Sequence, residues 1–312
     1  MKIFYATDVH GSEICWKKFI NAGPFYEVDA IILGGDMTGK AVVPIIAQGK
    51  NSWKVTVQEQ ESLLEGQEQL DQMVASIRNR GYYPYVTDPD ETAAISADQT
   101  LSDRVFLKEV MSTLQRWLDY ADQKLAGKNL KCFVCPGNDD GFEIDDLIKT
   151  SKHVENIEGK VIQLDQHHEM ISSGWTNPTP WNTEREEDEA SLEVRFEAMA
   201  STLKNPQTAV FNLHAPPHAS GLDDAPELTA DMRLAYAGQS LIPVGSKSVL
   251  KVIEKYNPLL GLHGHIHEGR GSRKIRKTLC INAGSMYEQG ILLGAVIELH
   301  PKKVGNYILT SG

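Results

Sequence analysis

Five short stretches of this chain carry side chains that bind metal ions well. They are Asp8-Val9-His10, Gly35-Asp36, Gly137-Asn138-Asp139, His214 within Leu213-His214-Ala215-Pro216-Pro217, and Gly264-His265-Ile266-His267. Together they offer the carboxylate or amide groups of Asp8, Asp36 and Asn138 and the imidazoles of His10, His214, His265 and His267, with no thiolate. Such a set suits two divalent ions of intermediate hardness; Mn2+, Fe and Zn2+ all fit, because ligand type does not separate them. Two ions about 3.5–4 Å apart clamp a phosphate and supply a hydroxide to attack it. Any one stretch is a weak signal, and it is their number that points to this chemistry.

Spacing adds detail. Asp8 and His10 stand two residues apart, as do His265 and His267, so on an extended chain each pair faces one way. Asp36 follows Gly34-Gly35, where glycine permits a tight turn, and could bridge two ions through its two oxygens. The rival reading, a nucleotide loop, fails because Gly34-Gly-Asp-Met-Thr-Gly39 does not match G-x-G-x-x-G. Asn138 would bind through its amide oxygen. Pro216 and Pro217 stiffen the loop that carries His214. His218 is a candidate for contact with substrate or with a ligand, His263 a weaker one, and His153, His167, His168 and His300 read as ordinary structural or surface histidines.

The elements that must position these groups alternate between strand and helix. Lys2–Thr7 reads as a strand ending at the first stretch. Ser12 opens a helix carrying Cys15, Trp16, Phe19 and Ile20 and stopped by Gly23-Pro24, and Ala30–Leu33 is an apolar strand ending at the second stretch. From Ser52 to Lys128 the character changes. Gln58–Arg80 has Leu63, Leu70, Val74 and Ile77 near helical period, and Leu107, Val110, Leu114, Trp117, Ala121 and Leu125 form a second amphipathic stripe. A loop-like segment with Tyr82, Tyr83, Pro84, Tyr85 and Pro89 separates them, so residues 52–128 read as a helical hairpin inserted into one domain spanning 1–312. The alternation then resumes. Strands at Leu130–Cys135, Thr208–Leu213 and Leu259–His263 deliver the remaining stretches, and helices are predicted at Glu184–Leu203 and Ser246–Tyr256. Lys160–Leu164 and His168–Ser173 read as a strand pair, Gly174–Asn182 as a rigid proline-rich loop, and Thr278–Asn282, Ile291–Leu299 and Val304–Leu309 as closing strands. The class is α/β, and ligands at the carboxyl ends of parallel strands are where such sheets place their sites.

Composition narrows the alternatives. At 41% hydrophobic and 23% charged residues the chain is in the globular range, and no apolar run approaches the ~20 residues that span a bilayer. The start runs straight into the first stretch, so the expectation is a cytoplasmic protein without a signal peptide. A net charge of −11 argues against a broad nucleic-acid surface, and the basic run Arg270–Lys277 reads as a solvated hairpin tip. Cys132 and Cys135 form a CxxC, but in an apolar strand and without a second pair, which predicts buried structural thiols.

The ensemble resembles the calcineurin-like metallophosphoesterases, with all five metal-ligand stretches in order and Ile281-Asn-Ala-Gly-Ser285 also similar. The resemblance covers about residues 1–45 and 130–300. It implies a four-layer α-β-β-α sandwich. It implies that Asp8, His10, Asp36 and His267 hold one ion, and Asp36, Asn138, His214 and His265 the other. It implies a binuclear metal-dependent hydrolase acting on a small phosphorylated substrate, either monoester or diester, with Asp36, Asn138, Asp139 and His214 at the reacting centre. One position departs. The family usually has His after Gly-Asn, assisting the leaving group, where this chain has Asp139. An Asp beside two dications stays ionised and donates a proton poorly. That favours acidic leaving groups, unless His218 or a metal-bound water supplies the proton. Two rivals remain: a catalytically weak scaffold binding a protein partner, which usually loses ligands where this chain has lost none, and a nuclease, which the acidic balance disfavours. The insert is a candidate contact for a homo-oligomer.

Overall fold

The computed structural model describes residues 1–229 and 231–312. Short apolar strands flanked by glycine and polar loops gather into two six-stranded sheets. The first has the order Lys303–Ser311, Leu293–His300, Lys2–Ala6, Ala30–Leu33, Lys131–Val134, Val154–Asn156. Lys2–Ala6 runs parallel to Ala30–Leu33, with Phe4 opposite Ile31, and Ala30–Leu33 runs parallel to Lys131–Val134. The second sheet has the order Gly271–Ile275, Thr278–Asn282, Leu260–His263, Val210–Leu213, Glu169–Ser173, Lys160–Gln163, and its four central strands are mutually parallel. Strands buried on both faces read as continuous apolar runs, as Ala30-Ile-Ile-Leu33 does.

Alternation divides the core. Ile3, Tyr5, Ile32 and Phe133 of the first sheet share one apolar cluster with Met170, Val210, Leu260 and Ile281 of the second. On the other side of the first sheet, Phe4, Ile31 and Val134 pack with Trp16 and Phe19 of helix Glu13–Tyr26 and with Leu114 and Trp117 of helix Gln99–Leu125. Trp16 and Trp117 stack at 5.0 Å. On the other side of the second sheet, Phe211 and Leu213 pack with Phe196 of helix Glu189–Ala200 and Val252 of helix Lys247–Tyr256.

Several local expectations are corrected. The segment read as a helical hairpin contains helices Gly66–Asn79, Pro89–Ala97 and Gln99–Leu125, but also most of a four-stranded sheet ordered Gln60–Glu65, Ser52–Val57, Val42–Gly49, Tyr83–Thr87. The turn between Ser52–Val57 and Gln60–Glu65 puts Gln58 and Glu59 at φ 48° and 66°. That left-handed pair is usually written Asn-Gly, so the hairpin carried no turn signal. Pro84 is tolerated because Tyr83–Thr87 is an edge strand. Pro89 starts a helix capped by Asp88, whose carboxylate accepts from Glu91 N at 2.8 Å. The first helix passes through Gly23-Pro24 to Tyr26 and ends at Glu27, which turns left-handed at φ 52°. The helix expected over Glu184–Leu203 begins only at Glu189, where Asp188 accepts from Ser191 N. Among the described residues no helix is long and apolar enough to cross a membrane.

Candidate metal centre

Each ligand stretch begins just beyond the carboxyl end of a parallel strand. Asp8 follows Lys2–Ala6, Asp36 follows Ala30–Leu33, and Asn138 follows Lys131–Val134, all in the first sheet. His214 follows Val210–Leu213, and His265 and His267 follow Leu260–His263, in the second. The sheets meet so that these ends share one mouth. Asp8, His10 and His267 form one group whose ligand atoms lie within 4.8 Å of one another. Asp36, His214 and His265 form a second, and His10, Asp36 and Asp139 a third.

Asp36 links the groups through one oxygen. Its Oδ2 is 3.3 Å from His214 Nε2 and 3.6 Å from His10 Nε2, while Oδ1 accepts from Asp139 N at 3.0 Å. Sharing through both oxygens was the sequence expectation; here one of them also steadies the third stretch. His10 Nε2 lies 3.1 Å from His267 Nε2, and Asp8 Oδ1 lies 3.4 Å from His267 Nε2. Asn138 belongs to no carboxylate–imidazole group, but its Nδ2 donates to Thr183 Oγ1 at 2.9 Å, leaving Oδ1 buried without a partner.

The expected reason for convergence was extended alternation. The structure uses a different device. Asp8, His10, Asp36 and His265 all have left-handed backbone, at φ 53°, 38°, 49° and 66°. For residues with a Cβ this is sparsely populated and costs on the order of 1–3 kcal/mol each, so it persists where neighbours impose it. Those neighbours are identifiable. Asp8 N, His10 N and Gly11 N donate to Gly35 O, Asp36 O and Met37 O at 3.0, 3.0 and 2.8 Å, zipping the first two loops together. Asp140 is fully buried; it accepts from Met37 N (2.9 Å), Thr38 N (2.8 Å), Thr38 Oγ1 (2.7 Å) and Gly137 N (2.7 Å), clamping the second loop to the third. Asn282 Nδ2 donates to Leu222 O, Gly264 O and Ile266 O and holds the fifth stretch. Close packing accounts for two glycines: a methyl on Gly137 would fall on the Asp36 carboxylate, and one on Gly264 on the Asp8 carboxylate.

Electrostatics set the protonation states. Burial works against the Asp8 and Asp36 carboxylates, but the surrounding imidazoles, His214 foremost, outweigh it and hold both well below the usual carboxylate range. Burial pushes His10 down to about 3, and burial with His214 pushes His265 down to about 4, so both are neutral and able to ligate. His214 goes the other way: burial opposes its charge, yet Asp36 and Asp8 raise it to about 9. Burial and the Asp36 carboxylate push Asp139 up to about 6, against the pull of Lys40.

Do these residues fit divalent cations? His10 Nδ1, Asn138 Oδ1 and His214 Nδ1 are buried polar atoms without a hydrogen-bond partner, while His214 Nε2 faces the Asp36 carboxylate. Buried polar atoms ordinarily find one, and these belong to residues around the clustered carboxylates. The donor set is hard-to-intermediate oxygen and nitrogen. The residues fit the ions.

Other sequence candidates fall outside the groups. His218 Nδ1 lies 3.9 Å from Asp223 Oδ2 and belongs to none of the three groups. His263 is buried with Nδ1 on Leu213 O (2.7 Å) and Ala215 O (3.1 Å), so it braces the strand end that carries His214. Cys15, Cys132, Cys135 and Cys280 are free and buried. Residues that sequence reasoning missed surround the centre. Lys40 Nζ lies 2.8 Å from Asp139 Oδ2. Tyr287 packs its ring 4.7 Å from His10 and 5.9 Å from His267. Arg185 is fully buried, donates to Asp140 O and to Asp145 Oδ1, both at 3.0 Å, and so fastens the third loop. Lys40, four residues after Asp36, was visible as a basic residue near a ligand; Arg185 and Tyr287 left no local signal.

No family model matches the sequence, and no curated protein matches it. Solved structures do. One crystal structure aligns over 99% of this chain and 98% of its own at 15% identity and a TM-score of 0.55. The protein TT1561 of Thermus thermophilus aligns over 100% of this chain and 97% of its own, also at 15% identity, with a TM-score of 0.53. An archaeal phosphodiesterase aligns at 10% identity and a TM-score of 0.37, too loosely to bear on this chain. The first two establish that this mixed α/β fold, along its whole length, is one that other proteins share.

Proposed function

We propose that this chain is a binuclear metal-dependent phosphohydrolase of the calcineurin-like metallophosphoesterase kind, with a four-layer α-β-β-α core and residues 52–128 as an insertion. The observation that carries the reading is the gathering of the Asp8–His10–His267 and Asp36–His214–His265 groups around one shared carboxylate oxygen. Asp8, His10, Asp36 and His267 would hold one divalent ion, and Asp36, Asn138, His214 and His265 the other. Bound there, such ions polarise phosphoryl oxygens and make water a nucleophile near neutral pH.

The chain's own residues do the rest. Thr183 accepts from the Asn138 amide nitrogen, which leaves the amide oxygen free for an ion. Asp8 accepts from His265 N through Oδ1 and Oδ2, at 3.2 and 3.1 Å, tying the first stretch to the fifth. Tyr287 packs its ring against those of His10 and His267. Lys40 brings a cation to the Asp139 carboxylate, at the position where the related enzymes carry histidine. An ammonium there can meet charge that develops on phosphoryl or leaving oxygens.

The test is metal analysis of the purified protein, joined to hydrolysis of a panel of phosphomonoesters, diesters, cyclic nucleotides and pyrophosphate. Asp36→Ala should abolish metal-dependent hydrolysis. A protein that takes up no transition metal, or an Asp36→Ala variant with full activity, ends this reading.

A further inference from the structure

A cavity of about 380 Å3 opens between the small sheet and the helices Pro89–Ala97 and Gln99–Leu125. It lies outside the ligand groups, and it shares one residue with their surroundings. Lys40 lines the cavity, while its ammonium lies 2.8 Å from Asp139 Oδ2. That same carboxylate oxygen lies 3.7 Å from His10 Nδ1. Lys40 is therefore common to the wall of the cavity and to the surroundings of the ligand groups.

The walls say what the cavity suits. Tyr85, Ile95 and Phe106 supply apolar and aromatic surface, and Thr87 and Ser102 supply hydroxyls. The Tyr85 and Thr87 hydroxyls already donate to Glu91, at 2.8 and 2.6 Å, so they face a guest as acceptors. Of its lining residues only Lys40 and Asp103 carry charge, and the Asp103 carboxylate accepts from Gln99 Nε2 at 2.7 Å. A space of this size, mostly apolar with a few polar groups, is that of a small-molecule site.

Resting on the phosphohydrolase reading, we infer that this cavity receives the uncharged organic group of the ester, a ring-sized apolar or aromatic group, while Lys40 contacts the phosphoryl oxygens at the boundary. Esters bearing such a group would then be preferred over small alkyl esters. The preference would come from surface removed from water in the cavity, and Lys40 would act on both kinds alike.

Binding of non-hydrolysable phosphonates to the metal-loaded full chain tests this without turnover. By isothermal titration calorimetry, benzylphosphonate should bind at least tenfold more tightly than methylphosphonate, as expected for sheltering one ring in a partly open space. Ser102→Phe fills the cavity; it should remove that advantage and leave methylphosphonate within twofold of wild type. Ser96→Trp, at an exposed position on the same rim, gives a second filling variant if the first does not fold. Lys40→Ala should weaken both ligands by similar factors. Equal affinities in the wild-type protein, an advantage that survives filling, or binding of neither phosphonate overturns the proposal. Metal content and hydrolysis decide the phosphohydrolase reading separately. A protein that turns over small and large esters equally keeps that reading and loses this one.

Discussion

Asp140 offers the sharpest test of how the centre is held. It is fully buried, and its two carboxylate oxygens accept the four hydrogen bonds that join the Asp36 and Asn138 loops. Asp140→Asn keeps the shape and replaces one acceptor oxygen with an NH2 group. If that group faces Thr38, the threonine hydroxyl can rotate to accept, and one backbone donor is stranded. If it faces Met37 and Gly137, two are stranded. Each buried donor left unpaired costs about 1–3 kcal/mol and the amide settles in the orientation that strands one, so the variant should lose roughly 1–3 kcal/mol, a sizeable part of the ~5–15 kcal/mol of a typical domain. At about 2–4 °C per kcal/mol, carried over from somewhat smaller domains, Tm should fall by roughly 2–12 °C. Differential scanning calorimetry and metal analysis together are the assay. Bound metal should fall with Tm, because the loops that Asp140 joins carry Asp36 and Asn138. A variant within about 2 °C of wild type and with full metal content would refute the clamp.

Three further outcomes follow from the structure. Glu189 accepts from Lys247 N, Ser248 N and Ser246 Oγ, each at 2.8 Å; burial opposes its charge, but these bonds win and hold its carboxyl below the usual range. Its contribution is therefore complete above the unfolded carboxylate range and lost as pH falls through the lower folded value: Glu189→Gln should cost about 1–2 kcal/mol at pH 7, discounted for partial exposure, and progressively less as pH falls through that folded value, as urea titrations would measure. A thiol reagent should label none of the four cysteines in the native protein and all four after denaturation, since all are buried and burial pushes Cys280 up to about 12; rapid native labelling of Cys132 or Cys135 would make the CxxC an exposed, reactive pair. Asp139→His should raise turnover of esters with poor leaving groups more than those with good ones, by about tenfold or more if the imidazole serves as general acid; equal effects on both would remove position 139 from proton transfer.

The sequence disclosed which candidate residues cluster better than the way they are carried. Strands such as Ala30–Leu33 and Val210–Leu213 were legible because apolar runs ending at polar residues have few other uses, and the same pattern put the candidate residues at strand ends. The left-handed turns at Asp8, His10, Asp36 and His265 were not legible, because that conformation comes from loops stitched together across the mouth and not from residue type. The small sheet was hidden for a similar reason: its hairpin turns through Gln58-Glu59, residues with no turn preference, and its Pro84 reads as a breaker unless the strand is known to lie at an edge. Arg185 and Asp140 were missed because much of their value lies in buried bonds to distant main-chain groups, such as Met37 N for Asp140 and Asp140 O for Arg185.

The Asp8–His10–His267 triad takes two members from the first sheet and one from the second, and Asp36–His214–His265 takes one from the first and two from the second. Neither sheet alone can assemble either triad. On the proposed reading, tight cation capture at these triads waits until both halves have docked. During refolding, the arrival of a coloured reporter ion such as Co2+ would time the last large event on the pathway, and a chain stalled with its halves apart would stay colourless.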